Sequence, residues 1–243
     1  MTKFVSISSF TTGLPSYSDD VAIVAIDVIR ASTTAVTAIA CGRQCYPVSS
    51  VAQAIRIFHT LEDPILAGEL GGDMPPGFDM TNSPAQLATR TDIFRPMILL
   101  SSAGTQLMCA IRSRDSAYVA SFRNYGATIE HLAENYSQVA LIGAGTRGEH
   151  REEDQMCCAW IAEGLIENGF TPRDETTRHV VERWSGSPRN AFLISRSVDY
   201  LRRSNQLHDL DFILDHFDDV DIVCRLTSNQ IVDAKVSATQ VRS

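Results

Sequence analysis

The chain has 243 residues, 44% of them hydrophobic, and a formal net charge of −8 at pH 7. That length suits one large α/β domain or two small ones, and the apolar content argues for a packed core and against disorder. The acidic balance, with no basic stripe, argues against nucleic acid and anionic membrane as partners.

No apolar run approaches membrane-spanning length, and the segment 1–6 is too short and too interrupted for a secretory signal. A cytoplasmic location is therefore expected. Six cysteines, at 41, 45, 109, 157, 158 and 224, show no CxxC spacing and read as free buried thiols.

In chain order, residues 4–10 alternate apolar and polar, the pattern of a half-buried edge strand. A loop over 11–20 contains Gly13 and Pro15. The run 21–26 is continuously apolar and β-branched, as in a strand buried on both faces, and it ends in Asp27. Arg30 follows, then Ser32, Thr33 and Thr34, then a small-residue helix over 33–41 stopped by Gly42. A strand at 45–48 precedes a helix capped by Ser49 or Ser50, and a brief strand lies at 65–67. The irregular stretch 68–83 is rich in Gly and Pro and carries Glu69, Asp73 and Asp79; ordered loops of this length are usually functional. Ser83, Pro84 and Gln86 spell a helix start.

Strands at 97–100, 117–120 and 138–142 each lead through a polar turn into a helix. Strand, polar turn and helix recurring at this interval predict a parallel sheet wound by helices: an α/β, three-layer fold, mostly parallel, with helices on both faces and a more helical C-terminal part over 172–217. Two strands, 221–226 and 230–235, flank Thr227-Ser228-Asn229 as a hairpin-like ending. One unit of 1–243 is expected, with a division near 170 (a parallel-sheet core over 1–170, a helical segment with returning strands over 171–243) as the alternative.

In open α/β sheets, ligands bind where strands end and helices begin. Asp27 at such a point is a candidate Mg²⁺ ligand, nucleophile or base, and Arg30 a candidate phosphate grip through its planar fork. The hydroxyls of Ser32, Thr33 and Thr34 sit where a helix start could hold an anion. Glu69, nearest a strand end, is the better metal candidate in its loop, with Asp79 a ligand or a turn residue. Ser101-Ser102-Ala103-Gly104-Thr105 offers backbone N–H groups to an anion. The acids Glu149, Glu152, Glu153 and Asp154 open a long helix, more than capping requires.

Gly143-Ala144-Gly145-Thr146-Arg147-Gly148 matches the dinucleotide fingerprint, so an NAD(P)-binding oxidoreductase is an alternative. Against it, the acid expected about 20 residues on should end a strand, whereas Glu163 and Glu167 fall in a helical pattern. A non-catalytic phospholigand-binding protein is a second alternative. A haloacid dehalogenase nucleophile motif would place a second aspartate where Ile29 stands, and there is no G-x-S-x-G.

Asp27-Val28-Ile29-Arg30-Ala31-Ser32-Thr33-Thr34, Gly68-Glu69 through Asn82-Ser83-Pro84, Ser101 to Thr105, Ser121 to Asn124, Gly143 to Gly145 and Glu153 to Ala159 together resemble the 2-phosphosulfolactate phosphatase family. The likeness runs from about residue 20 to 165, and the first two blocks are its specific part. One departure is Ala103, where the family usually has asparagine.

The resemblance implies a Mg²⁺-dependent hydrolase that releases phosphate from 2-phospho-3-sulfolactate, or a related small phosphorylated acid, a step towards coenzyme M in some archaea. It implies Asp27, Arg30 and Glu69 in catalysis and Asp27, Glu69, Asp79 and Asp154 around the metal. Ser32, Thr33, Asn82, Ser83, Ser102, Gly104, Thr105, Arg123 and Arg147 would surround the substrate, with Arg123 or Arg147 meeting sulfonate and carboxylate. The expected partner is this small anionic substrate, bound by the chain alone or as a homodimer.

Overall fold

The short apolar runs form one ten-stranded sheet. The structure is a computed structural model and describes residues 2–10, 17–145 and 149–236. The strands are β1 Lys3–Ser9, β2 Ala22–Ile26, β3 Cys45–Val48, β4 Ile65–Gly68, β5 Met97–Leu100, β6 Ala117–Ala120, β7 Gln138–Gly143, β8 Phe170–Pro172, β9 Cys224–Leu226 and β10 Ile231–Asp233. Their order across the sheet is β4-β5-β3-β10-β9-β6-β2-β7-β1-β8. Six pairings are parallel, and the three that involve β9 or β10 are antiparallel.

The helices of the described residues include α1 Ala31–Ala40, α2 Val51–Phe58, α3 Pro84–Ala88, α4 Gly104–Ile111, α5 Tyr125–Asn135, α6 Glu152–Glu167, α7 Glu175–Trp184, α8 Arg196–Arg203 and α9 Leu207–Asp215, with a 3-10 turn at Ala191–Ile194. The alternation of β2 sends Ala22, Val24 and Ile26 to one face, among residues of α5, α6, α8 and α9. Val21, Ile23 and Ala25 go to the other, against α1 and α4. Every β2 residue is consequently buried, as the unbroken apolar run predicts, and the layers number three. No helix among the described residues is long and apolar enough to cross a membrane.

One expectation needs correction. The strand at the N-terminus is not an edge strand: β8 pairs with it in parallel on the side away from β7. The 3-residue β8 carries too little pattern to be read from sequence. The terminal strands do form the expected hairpin-like pair, β9 against β10 in antiparallel register. The pair sits in the middle of the sheet, where β10 pairs with β3 and β9 with β6.

Candidate functional site

The parallel strands bring Asp27, Glu69, Ser102, Arg123 and Gly145 to one edge of the sheet, each just beyond a strand's C-terminal end. Asp27 is the most buried acid of that set at 8% exposure. The turn that follows it, which contains a cis Ile29–Arg30 peptide bond, is fixed by Ser32. The Ser32 hydroxyl accepts from Asp27 N–H (3.0 Å) and donates to Asp27 O (2.7 Å).

Around the Asp27 carboxylate the charge is nearly all negative. Burial, then Glu69, then Glu153 push its pKa up to about 7, while the N–H groups of Gly104 and Ala31 favour the ionised form. Gly104 opens α4, and only a residue without Cβ fits there: an added Cβ would lie 2.2 Å from Asp27 Oδ2.

Asp154 stands beside Asp27, and its pKa is raised by burial, then by Asp27 and Glu153. Its oxygens accept from Val28 N–H (2.8 Å) and Gly145 N–H (3.2 Å), tying the end of β2 to the end of β7. Glu153 is buried and neither of its carboxylate oxygens has a hydrogen-bond partner. Burial raises its pKa, and the Ser197 and Ser195 hydroxyls, which lie near without reaching hydrogen-bond geometry, pull it back only in part. Sequence reasoning passed over Glu153 as one of several acids opening a helix. Its distinguishing feature, burial without a partner, exists only in three dimensions.

Glu69 reaches the cluster electrostatically, but its oxygens hold the loop. They accept from Ser102 N–H (2.7 Å), Ser102 Oγ (3.0 Å) and Gly72 N–H (2.8 Å). Ser102 Oγ also accepts from Gly71 N–H. Asp79 is exposed, and its Oδ2 accepts from Leu66 N–H, which makes it a strand-flanking turn residue apart from the acids. Among the described residues no three His, Cys, Asp or Glu side chains form a group able to hold a metal ion by themselves. The donor set is nonetheless all carboxylate oxygen, which suits a hard cation that keeps waters and substrate oxygens in its shell. Unpartnered Glu153 beside Asp27 and Asp154 leaves negative charge that such a cation would balance.

The hydroxyls expected to cradle phosphate serve the backbone instead. Ser32 closes the Asp27 turn, Thr33 Oγ1 donates to Val28 O, and Thr34 Oγ1 donates to Arg30 O and Asn82 O. All three lie inside the first turn of α1, where short hydroxyl side chains turn back on nearby carbonyls. Thr105 makes the same kind of closed turn with Ser101. Ser83 caps α3 by accepting from Gln86 N–H (3.1 Å) and donates to Asp209 (2.5 Å).

Arg123 is also occupied. It grips Asp219 with Nε (3.0 Å) and Nη2 (2.6 Å), gives Nη1 to Thr37 and lies over the Phe212 ring. Arg147 lies outside the described residues. Two expected substrate groups keep unclaimed polar atoms. Asn82 is buried with Oδ1 lacking a partner. Arg30 uses Nη1 alone, on Asp209 and Gln206.

The dinucleotide alternative loses its footing in the same place. Gly143 lets the Asp154 side chain pass close to the β7 backbone, where an added Cβ would lie 3.2 Å from Asp154 Cβ. Glu152, Glu153 and Asp154 in the first turn of α6 oppose a pyrophosphate at that helix start. A cavity of about 80 Å³ lies on this side, lined by Ser9, His150, Arg151, Asp154 and Thr176 among others. It includes neither Asp27 nor Arg30, so the acid cluster marks the site better than the cavity does.

Comparison with known proteins bears on the same segments. A family model described as 2-phosphosulpholactate phosphatase matches residues 11–229. A probable 2-phosphosulfolactate phosphatase of Synechocystis sp. is 28% identical over 229 residues, 87% of this chain and 91% of that protein. Its counterpart in Deinococcus radiodurans is 32% identical over 204 residues, 81% and 84% of the two chains. That of Pseudothermotoga lettingae is 37% identical over 139 residues, 57% of this chain and 59% of that protein.

Proposed function

This chain belongs to the 2-phosphosulpholactate phosphatase family, and on that premise we propose that it hydrolyses the phosphate ester of 2-phospho-3-sulfolactate, or a closely related phosphorylated acid, with Mg²⁺ at the Asp27 cluster. The observation that carries this reading is the buried, unpartnered carboxylate of Glu153 beside Asp27 and Asp154. Buried like charges are costly unless something balances them. A phosphatase must also offset the charge that gathers on the transferring phosphoryl oxygens.

Asp27 and Glu153 would hold the ion, with water and substrate oxygens completing its shell. When bound, Mg²⁺ would polarise the phosphoryl group and offset developing charge. The rest falls to the chain. Gly104 and Ala31 N–H groups orient the Asp27 carboxylate. Glu69 shapes the loop 68–83 through Ser102 and Gly72. Arg30 offers Nε and Nη2 to phosphate oxygens, and the Asn82 amide faces a polar part of the substrate. Arg123 is committed to Asp219, and Arg147 is kept as the candidate to meet the sulfonate or carboxylate. The protein would act in the cytoplasm, as one unit over its length, alone or as a homodimer.

The test is phosphate release from 2-phosphosulfolactate and from a set of small phosphorylated acids, with Mg²⁺ and with a chelator. Turnover should require the divalent ion and fall by on the order of 10³-fold or more in Asp27→Asn, as for loss of a central electrostatic group. Full activity in the chelator, or near-normal activity of Asp27→Asn, removes the proposal.

A further inference from the structure

Arg30 stands at the start of α1 and is only 4% exposed. Its charge is met by a residue from the far end of the chain. Nη1 pairs with Asp209 Oδ2 at 2.5 Å and also donates to Gln206 Oε1. The Asp209 side chain is fully buried, and its other oxygen accepts from Ser83 Oγ (2.5 Å) and Ala85 N–H (3.2 Å). One carboxylate on α9 thus joins the starts of α1 and α3, the two helices that flank the expected phosphate position. Gln206 and Asp209, three residues apart, reach the same nitrogen from neighbouring places on the helix.

The pairing is one-sided. An arginine has five N–H donors, and the edge formed by Nε and Nη2 is suited to two oxygens of one phosphate. Among the described residues that edge has no protein acceptor, yet neither of its nitrogens is among the polar atoms sealed from solvent without a partner. A carboxylate facing that edge would occupy it, whereas one bound at Nη1 fixes the guanidinium plane and leaves the edge open.

We propose that Asp209, seconded by Gln206, is a positioning residue: it anchors Arg30 through Nη1 so that the Nε/Nη2 edge is presented to the substrate phosphate. This rests on the reading of Arg30 as a phosphate ligand, and it gives the C-terminal helical segment a part in substrate binding. His208, half-exposed with Nε2 at 3.8 Å from Asp209 Oδ2, lies on the outer side of the pair.

The test is a double-mutant cycle in the full chain with Arg30→Ala, Asp209→Asn and the combination, reading KM, kcat/KM and inhibition by inorganic phosphate, with folding checked by circular dichroism. Each single change should lower kcat/KM by about 30-fold or more, the scale for breaking a buried charge pair. Both should weaken phosphate inhibition, and the double variant should be no worse than Arg30→Ala alone. Multiplying effects, or an Asp209→Asn variant with normal KM and phosphate inhibition while Arg30→Ala loses both, overturn the positioning role and leave the phosphate role of Arg30 standing. An Arg30→Ala variant with unchanged KM and phosphate inhibition sinks both. If Asp209→Asn does not fold, Gln206→Ala serves: it removes the second Nη1 acceptor without stranding a charge. It should raise KM by about threefold, on the scale of one neutral hydrogen bond, and an unchanged KM overturns the proposal.

Discussion

The Asp27 carboxylate and the Gly104 backbone are in such close contact that a single methyl group on Gly104 would lie 2.2 Å from Asp27 Oδ2 and 2.8 Å from Asp27 Cβ. The start of α4 and the end of β2 therefore define one another's position. That contact is why a residue without a Cβ occupies the position.

Gly104→Ala should be more damaging than its size suggests. The new Cβ would also meet Ala31 Cβ at 2.7 Å, so Asp27 cannot yield without moving α1. Overpacking of this kind costs about 1–3 kcal/mol, and a displacement of the reacting group by about 1 Å can cost about 10²-fold in rate. Phosphate release should fall at least that far, with a measurable drop in Tm. Normal kinetics in a folded Gly104→Ala protein would show that Asp27 need not sit where β2 and α4 place it.

The acid cluster sets a pH dependence with a definite sign. Unfolded carboxylates ionise near pH 4, whereas folded Asp27 keeps its proton up to about 7, and Glu153 and Asp154 are raised with it, burial being the largest cause for each. Between those limits the folded state holds more protons than the unfolded state. Stability contributed by this cluster should thus fall as pH rises through the window, by at most about 1.4 kcal/mol per pH unit for each group, and level off above it. In thermal denaturation without divalent ions, Tm should be lower at about pH 8 than at about pH 5. Mg²⁺ should restore more of it at the higher pH, and Asp27→Asn should flatten the profile. A Tm that rises over this range and ignores Mg²⁺ would refute this account of the cluster.

Arg123 provides the opposite kind of test, because the structure gives it a framework role. Arg123→Lys loses the planar two-point grip on Asp219 and the contact with Thr37. It should lower stability by about 1–3 kcal/mol and leave KM for the phosphorylated substrate within about twofold, a change worth less than 0.5 kcal/mol. A tenfold rise in KM at unchanged Tm would return Arg123 to the substrate.

How far the chain could be read from its letters depended on the range of the interaction. Runs such as Val21–Ile26 and Met97–Leu100 announce buried strands because the signal is local and repeated. The cap at Ser83, with Pro84 and Gln86, is equally local, and Ser83 does accept from Gln86 N–H. Asp27 was visible because a carboxylate at the end of an apolar strand demands an explanation. Asp209 was not: it shares α9 with Asp211 and Asp215, and nothing in the order of residues says which of the three turns inward to meet Arg30, 179 positions away. The ion pair of Arg123 was hidden for the same reason, since its partner Asp219 is 96 residues distant. The backbone bonds of the Ser32 and Thr33 hydroxyls were hidden for a different one. Their number suggested an anion cradle, while their place inside the helix, not before it, turned them onto the backbone.

The middle position of β9 and β10 has a consequence for how the protein is made. The strands on one side, β4, β5 and β3, and those on the other, β6, β2, β7, β1 and β8, have no pairing with each other except through this short antiparallel pair. During synthesis both flanks emerge well before the segment that joins them. Each must wait with an unpaired inner border, β3 on one flank and β6 on the other, open to wrong pairing until residues 224–233 arrive. Folding of the nascent chain should therefore finish as a late stitching of two preassembled flanks, and that interval is when it is most exposed to aggregation.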